Sequence, residues 1–224
     1  MLASSDVAAR LRVSADEAGF VIAIDDTGLA RELLAEGHHE GGGPKAFVAG
    51  RPEELTALIR RIWQLSRALP DAPLKRFEAA LAQVGAEFRT EVEALVRRRL
   101  GQTEFRAGLL DYWRGSCAVT GIAQPELLRA SHIKPWAHCG NDAERLDVYN
   151  GFLLTADWDA AFDAGLVSFD TDGVAVFSPA LSQAAHTRLG AGRLHADRPL
   201  TDKHRQYLAW HATRVFVGRP ISSR

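Results

Sequence analysis

Between His132 and Gly165 short apolar runs alternate with residues that interrupt them, and this stretch restricts the fold more than any other part of the chain. His132 closes an apolar run, and Pro135 stops further strand pairing because proline has no N–H for the ladder. Asn150-Gly151 is a turn signal, followed by a brief strand at residues 152–154. Thr155 is suited to cap a helix whose inward face is Leu154, Trp158, Ala161 and Phe162, spaced i, i+4, i+7 and i+8. Gly165 ends that helix. Asp159 and Asp163 are four apart, so they share one face, away from the apolar stripe. The expected local order is strand, loop with Asn150, strand, helix, and the His132 imidazole is expected to face the helix across the hairpin.

The rest of the chain supports a mixed, α+β protein. At 224 residues and 46% hydrophobic it can bury a sizeable core in one or two domains. Its 27 basic and 28 acidic residues nearly cancel, which excludes a basic coat protein and an acidic disordered tail but allows a local phosphate-binding patch. Two cysteines, Cys117 and Cys139, are too few for a disulfide scaffold. The opening MLASSDVAARLRV has no secretory apolar core, and no run approaches bilayer length, so no membrane span and a cytoplasmic location are expected.

Residues 7–11 suit one or two helical turns, and residues 20–24 (FVIAI) suit a strand. The loop HHEGGGP precedes Lys45, but its spacing and the lack of a following Ser or Thr argue against a phosphate loop. Residues 51–69 predict an amphipathic helix. A second helix is expected over residues 74–100, with Phe77, Leu81, Val84, Phe88, Val92 and Leu95 on one stripe and Arg97, Arg98 and Arg99 at its C-terminus before Gly101. A domain boundary is expected there, dividing a mainly helical N-terminal region with a short β element (1–100) from a C-terminal domain (101–224). A short helix at 105–113, a hairpin over 167–178, and helices at 180–189 and 201–216 complete the reading. Trp113, Trp136 and Trp210 read as core, and His138 beside Cys139 is rejected as a metal pair because no other ligands cluster nearby.

GQxxFR (101–106), CAVTG (117–121), ASHIKPW (130–136), NGFLL (150–154) and FDAGL (162–166), in that order, resemble restriction-type HNH endonucleases over about residues 97–216. The resemblance implies a C-terminal ββα-metal nuclease core with flanking helices. It implies that His132 is the general base and that Asp159 binds the metal. Asn150 either completes the metal site or fixes the loop that orients the imidazole, and Asp163 is a further metal candidate. Lys134 and Arg129 would hold DNA phosphates. The products would be 5′-phosphate and 3′-hydroxyl ends.

The chain also departs from the family. Asp159 stands where a third histidine is usual, which shifts the expected cation toward Mg²⁺ or Mn²⁺. Ser131 stands where many members carry another ligand. Of the family's two CxxC pairs only Cys117 is kept, with Thr120, Thr155 and Trp158 in the other places, so the ligand count argues against structural zinc. The chemistry suits these residue types. Histidine can deprotonate water near neutral pH, and a cation stabilises the charge growing on the phosphorus oxygens and the leaving oxygen. The expected function is a metal-dependent endonuclease on double-stranded DNA, in restriction or defence. The alternative is an HNH-fold DNA-binding module with weak or no cleavage. One site cuts one strand, so a homodimer is expected, with residues 1–100 serving recognition or oligomerisation.

Overall fold

β-branched and aromatic residues at alternating positions build the first sheet in the computed structural model, which describes residues 10–16, 19–69, 71–83, 90–195 and 198–218. Strands β1 (Leu11–Asp16), β2 (Gly19–Ile24) and β3 (Ala46–Ala49) are antiparallel in the order β1-β2-β3. Ile22 of β2 pairs with Phe47 of β3, and both are fully buried. Leu11 opens a strand rather than closing a helical turn, and residues 7–9 lie outside the described residues. The glycine-rich loop before β3 folds back on the sheet: a Cβ on Gly41 would sit 2.5 Å from Val48 Cγ2.

Helix α1 (Thr27–Ala35) starts where the Asp26 carboxylate accepts from the Leu29 N–H at 2.9 Å. Helix α2 (Pro52–Ala68) opens on a proline with Glu53 and Glu54 in its first turn, and buries Leu58, Ile62 and Leu65. The long second helix expected from the sequence is instead two: α3 (Ala72–Gln83) and α4 (Thr90–Tyr112). Val84 and Phe88 lie outside the described residues, as does the side chain of Val92. Phe77 is buried as the stripe required, but Leu95 is 67% exposed.

Helix α4 runs unbroken through Gly101, which is therefore not a stop signal, and the short helix expected at 105–113 is its last part. A Cβ on Gly101 would run into the Trp136 ring, so the glycine serves a close approach and α4 tolerates its modest helix penalty. Arg97, Arg98 and Arg99 sit inside α4 rather than at its end, and Arg97 is ion-paired with Asp142. The end of α4 is closed by a buried arginine from α2. Arg61 donates to the Asp111 and Tyr112 carbonyls at 2.9 Å each and is ion-paired with Glu36.

Strand β4 (Leu128–His132) leads through a long loop containing the one-turn helix α5 (Asp142–Arg145) to β5 (Gly151–Thr155), then directly into α6 (Ala156–Asp163). β4 and β5 pair antiparallel, with His132 opposite Gly151 and Leu128 opposite Thr155. Both α4 and α6 pack on this hairpin. Strands β6 (Val167–Phe169) and β7 (Ala175–Phe177) form the expected second hairpin, followed by α7 (Gln183–Leu189) and α8 (Asp202–Arg214). Trp113, Phe152, Trp158, Phe162 and Phe169 are buried in a hydrophobic cluster that also includes Ile22, Leu33 and Leu65 from the N-terminal half. Helices and small antiparallel sheets thus share one core, an α+β architecture. No described helix is long and apolar enough to cross a membrane.

Candidate active site

Side chains alternate along a strand, so consecutive residues of β4 serve opposite faces. Ser131 is buried on the face that meets α6. Its hydroxyl donates to Asp163 Oδ1 at 3.4 Å and lies near enough to Asp159 to favour the ionised form of that carboxyl. The two aspartates, one helical turn apart, are thereby drawn to one hydroxyl. Desolvation raises the Asp159 carboxyl above its ordinary range, opposed by the Ser131 hydroxyl and the charge of Arg129. Desolvation and then the charge of Asp159 push Asp163 up to about 6. Arg129 is exposed, two residues before Ser131, with its guanidinium donating to the Glu126 and Leu128 carbonyls.

His132 is turned the other way. Its ring stacks on Phe105 of α4 with centroids 3.7 Å apart and meets Trp136 edge-on at 5.8 Å. The imidazole therefore does not face α6, contrary to the sequence expectation; the alternation that brings Ser131 to the helix sends His132 to the α4 side. Its Nε2 lies 2.8 Å from the Arg145 carbonyl, which can only accept, so the proton of the neutral ring is on Nε2. That leaves Nδ1 as the lone-pair nitrogen. Burial lowers the imidazole to about 4, against the opposing pull of the Arg145 carbonyl.

Asn150 is fully buried, and its amide is spent inside the loop. Oδ1 accepts from the Lys134 N–H at 2.8 Å. Nδ2 donates toward the Lys134 and Glu144 carbonyls, both at 3.2 Å, and toward Cys139 Sγ at 3.4 Å. The Glu144 carbonyl adjoins the Arg145 carbonyl that holds His132, so Asn150 braces the peptide that orients the imidazole. These bonds hold it inside the loop, away from the Ser131–Asp159–Asp163 face, and its role is to fix the loop. Gly151 permits this packing, because a Cβ there would meet Phe105 Cζ at 2.5 Å and Leu109 Cδ1 at 3.0 Å.

The Lys134 ammonium is bound by the Glu144 carboxylate at 2.7 Å and is not a free cation. Cys117 is buried, and its sulfur accepts from the Val119, Thr120 and Thr155 N–H groups at 3.4–3.5 Å, tying the CAVTG turn to the end of β5. Trp158, in the place of a second-pair cysteine, is buried against Phe169 and Phe177.

Sequence reasoning missed two contributors. Ser131 was read as a gap in the ligand set, yet it joins both aspartates. Phe105 was a helix residue without a role, yet it forms the platform under His132. Strand alternation was the available signal for Ser131, and for Phe105 its place in the GQxxFR phrase.

The donor set can be judged chemically. Two carboxylates and a hydroxyl are hard oxygen donors, and Mg²⁺ or Mn²⁺ is commonly held by one or two carboxylates with water and substrate oxygens completing the shell. Among the described residues no group of three or more His, Cys, Asp and Glu that could hold a metal ion gathers, so an ion here would take the rest of its shell from water and substrate oxygens. Asp159 and Asp163 thus fit a hard divalent ion.

Residues 117–170 match the HNH endonuclease family model. No curated protein matches the chain. The matched segment runs from the Cys117 turn through β4, β5, α6 and β6, enclosing both faces of the hairpin described above. Similarity to the HNH endonucleases is thus carried by this segment of the chain.

Proposed function

We propose that the protein is a metal-dependent endonuclease that hydrolyses phosphodiester bonds of double-stranded DNA in a restriction or defence role. The observation that carries this reading is the convergence of Asp159 and Asp163 on Ser131, beside exposed Arg129, inside the family-matched segment. Asp159 and Asp163 hold the cation, Mg²⁺ or Mn²⁺, with the Ser131 hydroxyl fixing their orientation. A bound ion supplies charge neutralisation for the transition state and the leaving oxygen. Arg129 contacts a phosphate next to the scissile one.

His132 is the general base through Nδ1. The substrate phosphate lies across the end of β4, where Ser131 and His132 are adjacent. Water attacks phosphorus as His132 takes its proton. The bond from phosphorus to the 3′ oxygen breaks, and that oxygen takes a proton from solvent water, leaving 5′-phosphate and 3′-hydroxyl ends. Asn150 acts through the loop, holding the Arg145 carbonyl that fixes the tautomer. Residues 1–100 serve recognition or oligomerisation and residues 101–224 the nuclease, with a homodimer delivering two cuts.

A second reading, an HNH-fold DNA-binding module that cuts weakly or not at all, is favoured by the imidazole packed on Phe105 and lowered to about 4. Supercoiled plasmid incubated with Mg²⁺ or Mn²⁺ separates the two. The nuclease reading predicts nicking by the wild type, loss of nicking in His132→Ala and retained DNA binding. No nicking with any divalent ion, alongside a salt-sensitive gel shift, would establish the module instead.

A further inference from the structure

Away from the β4 carboxylates lies a cleft of about 1090 Å³, walled by α1, by α3 with the end of α2, and by the segment leading into α8. Leu29, Leu69 and Leu200 give it buried apolar surface. Its cations divide into two groups. Arg67, Arg76 and Arg205 are ion-paired with Asp111, Glu104 and Asp202. Arg31 on α1, Lys75 on α3 and Lys203 on α8 are exposed, and no side-chain hydrogen bond or ion pair joins any of them to another described residue. Lys203 Nζ instead lies 5.0 Å from the centre of the Tyr149 ring, which also lines the cleft. One nitrogen of Arg76, Nη2, is buried without a partner.

Glu32 also lines the cleft, and is 5% exposed. Its oxygens accept from Tyr149 at 2.6 Å and Tyr112 at 3.2 Å, and each carboxylate oxygen has a second lone pair available to an amine. Three uncommitted cations around an apolar lining suit a ligand that joins negative charge to a flat, mostly apolar body. Inorganic phosphate would leave the lining unused, and a fatty acid would offer one charge to three cations.

We propose that this cleft binds a nucleoside phosphate, with the phosphate held by Arg31, Lys75 and Lys203 and the base on the Leu29–Leu69–Leu200 surface within reach of Glu32. The ligand is either a free nucleotide or one nucleotide of an unpaired DNA strand, since both present this chemistry. Tyr149 directly precedes Asn150, so occupancy also touches the loop that orients His132.

Calorimetric titration of the full chain with AMP and ADP, and anisotropy with a fluorescein-labelled single-stranded DNA, test the proposal. Saturable binding is expected, about tenfold weaker in Lys75→Gln/Lys203→Gln, whose exposed side chains leave the core intact. ADP that competes with the strand assigns the cleft to a nucleotide within DNA; ADP that binds without competing assigns it to a free nucleotide. Binding by neither probe up to about 1 mM, or equal binding by wild type and double variant, would overturn the proposal. Asp159→Asn is expected to keep ADP binding while losing nicking, so this proposal and the nuclease reading can fail separately.

Discussion

Two ionised carboxylates one turn apart repel each other, and the fold holds Asp159 and Asp163 together at some cost to its own stability. Asp163 is pushed up to about 6, above its unfolded value. A carboxyl raised on folding destabilises the native state above its folded value, where it must ionise, and this cost fades as pH falls through it. Asp163→Asn is therefore expected to raise the melting temperature of the metal-free protein at about pH 8 and to bring a smaller gain at about pH 5. Scanning fluorimetry at both pH values checks this; a lower melting temperature at the higher pH would refute it. Gly151 is constrained by sterics rather than by charge. Its backbone is extended, at φ −162°, so any residue could adopt the conformation. The ring of Phe105 nevertheless occupies the place of a Cβ, so Gly151→Ala is expected to cost about 1–3 kcal/mol in denaturant unfolding.

At the scale of elements, α4 depends on residues distant in sequence. Arg61 of α2 caps its last carbonyls while paired with Glu36, and both side chains are almost wholly buried. Arg61→Ala leaves two helix-end carbonyls short of partners and the Glu36 carboxylate with only its Arg114 ion pair, and about 3 kcal/mol of destabilisation is expected by urea unfolding. The β4–β5 loop depends on Asn150 in the same way. Asn150→Ala removes partners from Lys134 and Glu144 and is expected to cost about 2–3 kcal/mol, while Asn150→Asp restores only the acceptor.

What was legible in the sequence follows the same division. β5 and α6 were readable because Asn150-Gly151 and the apolar stripe are local signals, and the shared face of Asp159 and Asp163 follows from helix period alone; Thr155 stands at the expected N-cap position, but its side chain makes no capping bond. The direction of His132 was not readable, because it depends on α4 arriving from the far side of the hairpin. Gly101 misled for a related reason: the group that makes it necessary is Trp136, which lies beyond the helix in sequence.

Across the whole molecule, buried histidines set how stability responds to acid. His211 is held between the Ser168 hydroxyl at 3.1 Å and the Phe162 carbonyl at 3.2 Å, and burial lowers it to about 4. Burial lowers His204 to about 3 and His132 to about 4. A histidine lowered on folding binds its proton only in the unfolded chain, so its contribution falls as pH drops from about 6.5 toward the folded value. Raised carboxyls such as Asp163 work in the opposite direction, so the comparison must isolate one group. The destabilisation caused by His211→Gln is expected to be smaller at about pH 5 than at about pH 7.5, by about 2 kcal/mol. A pH-independent difference in denaturant unfolding would contradict that.

The shared core also explains why α4 runs unbroken past residue 100. Glu32 of α1 accepts from both Tyr112 at the end of α4 and Tyr149 beside Asn150, joining the two halves through buried hydrogen bonds. The account as a whole rests on the Ser131 face of β4 holding a divalent ion, and calorimetric titration of the metal-free protein with Mn²⁺ tests this most directly. One ion is expected to bind per wild-type chain, with binding lost in Asp159→Asn and sharply weakened in Asp163→Asn. Equal Mn²⁺ affinity in all three proteins would contradict it.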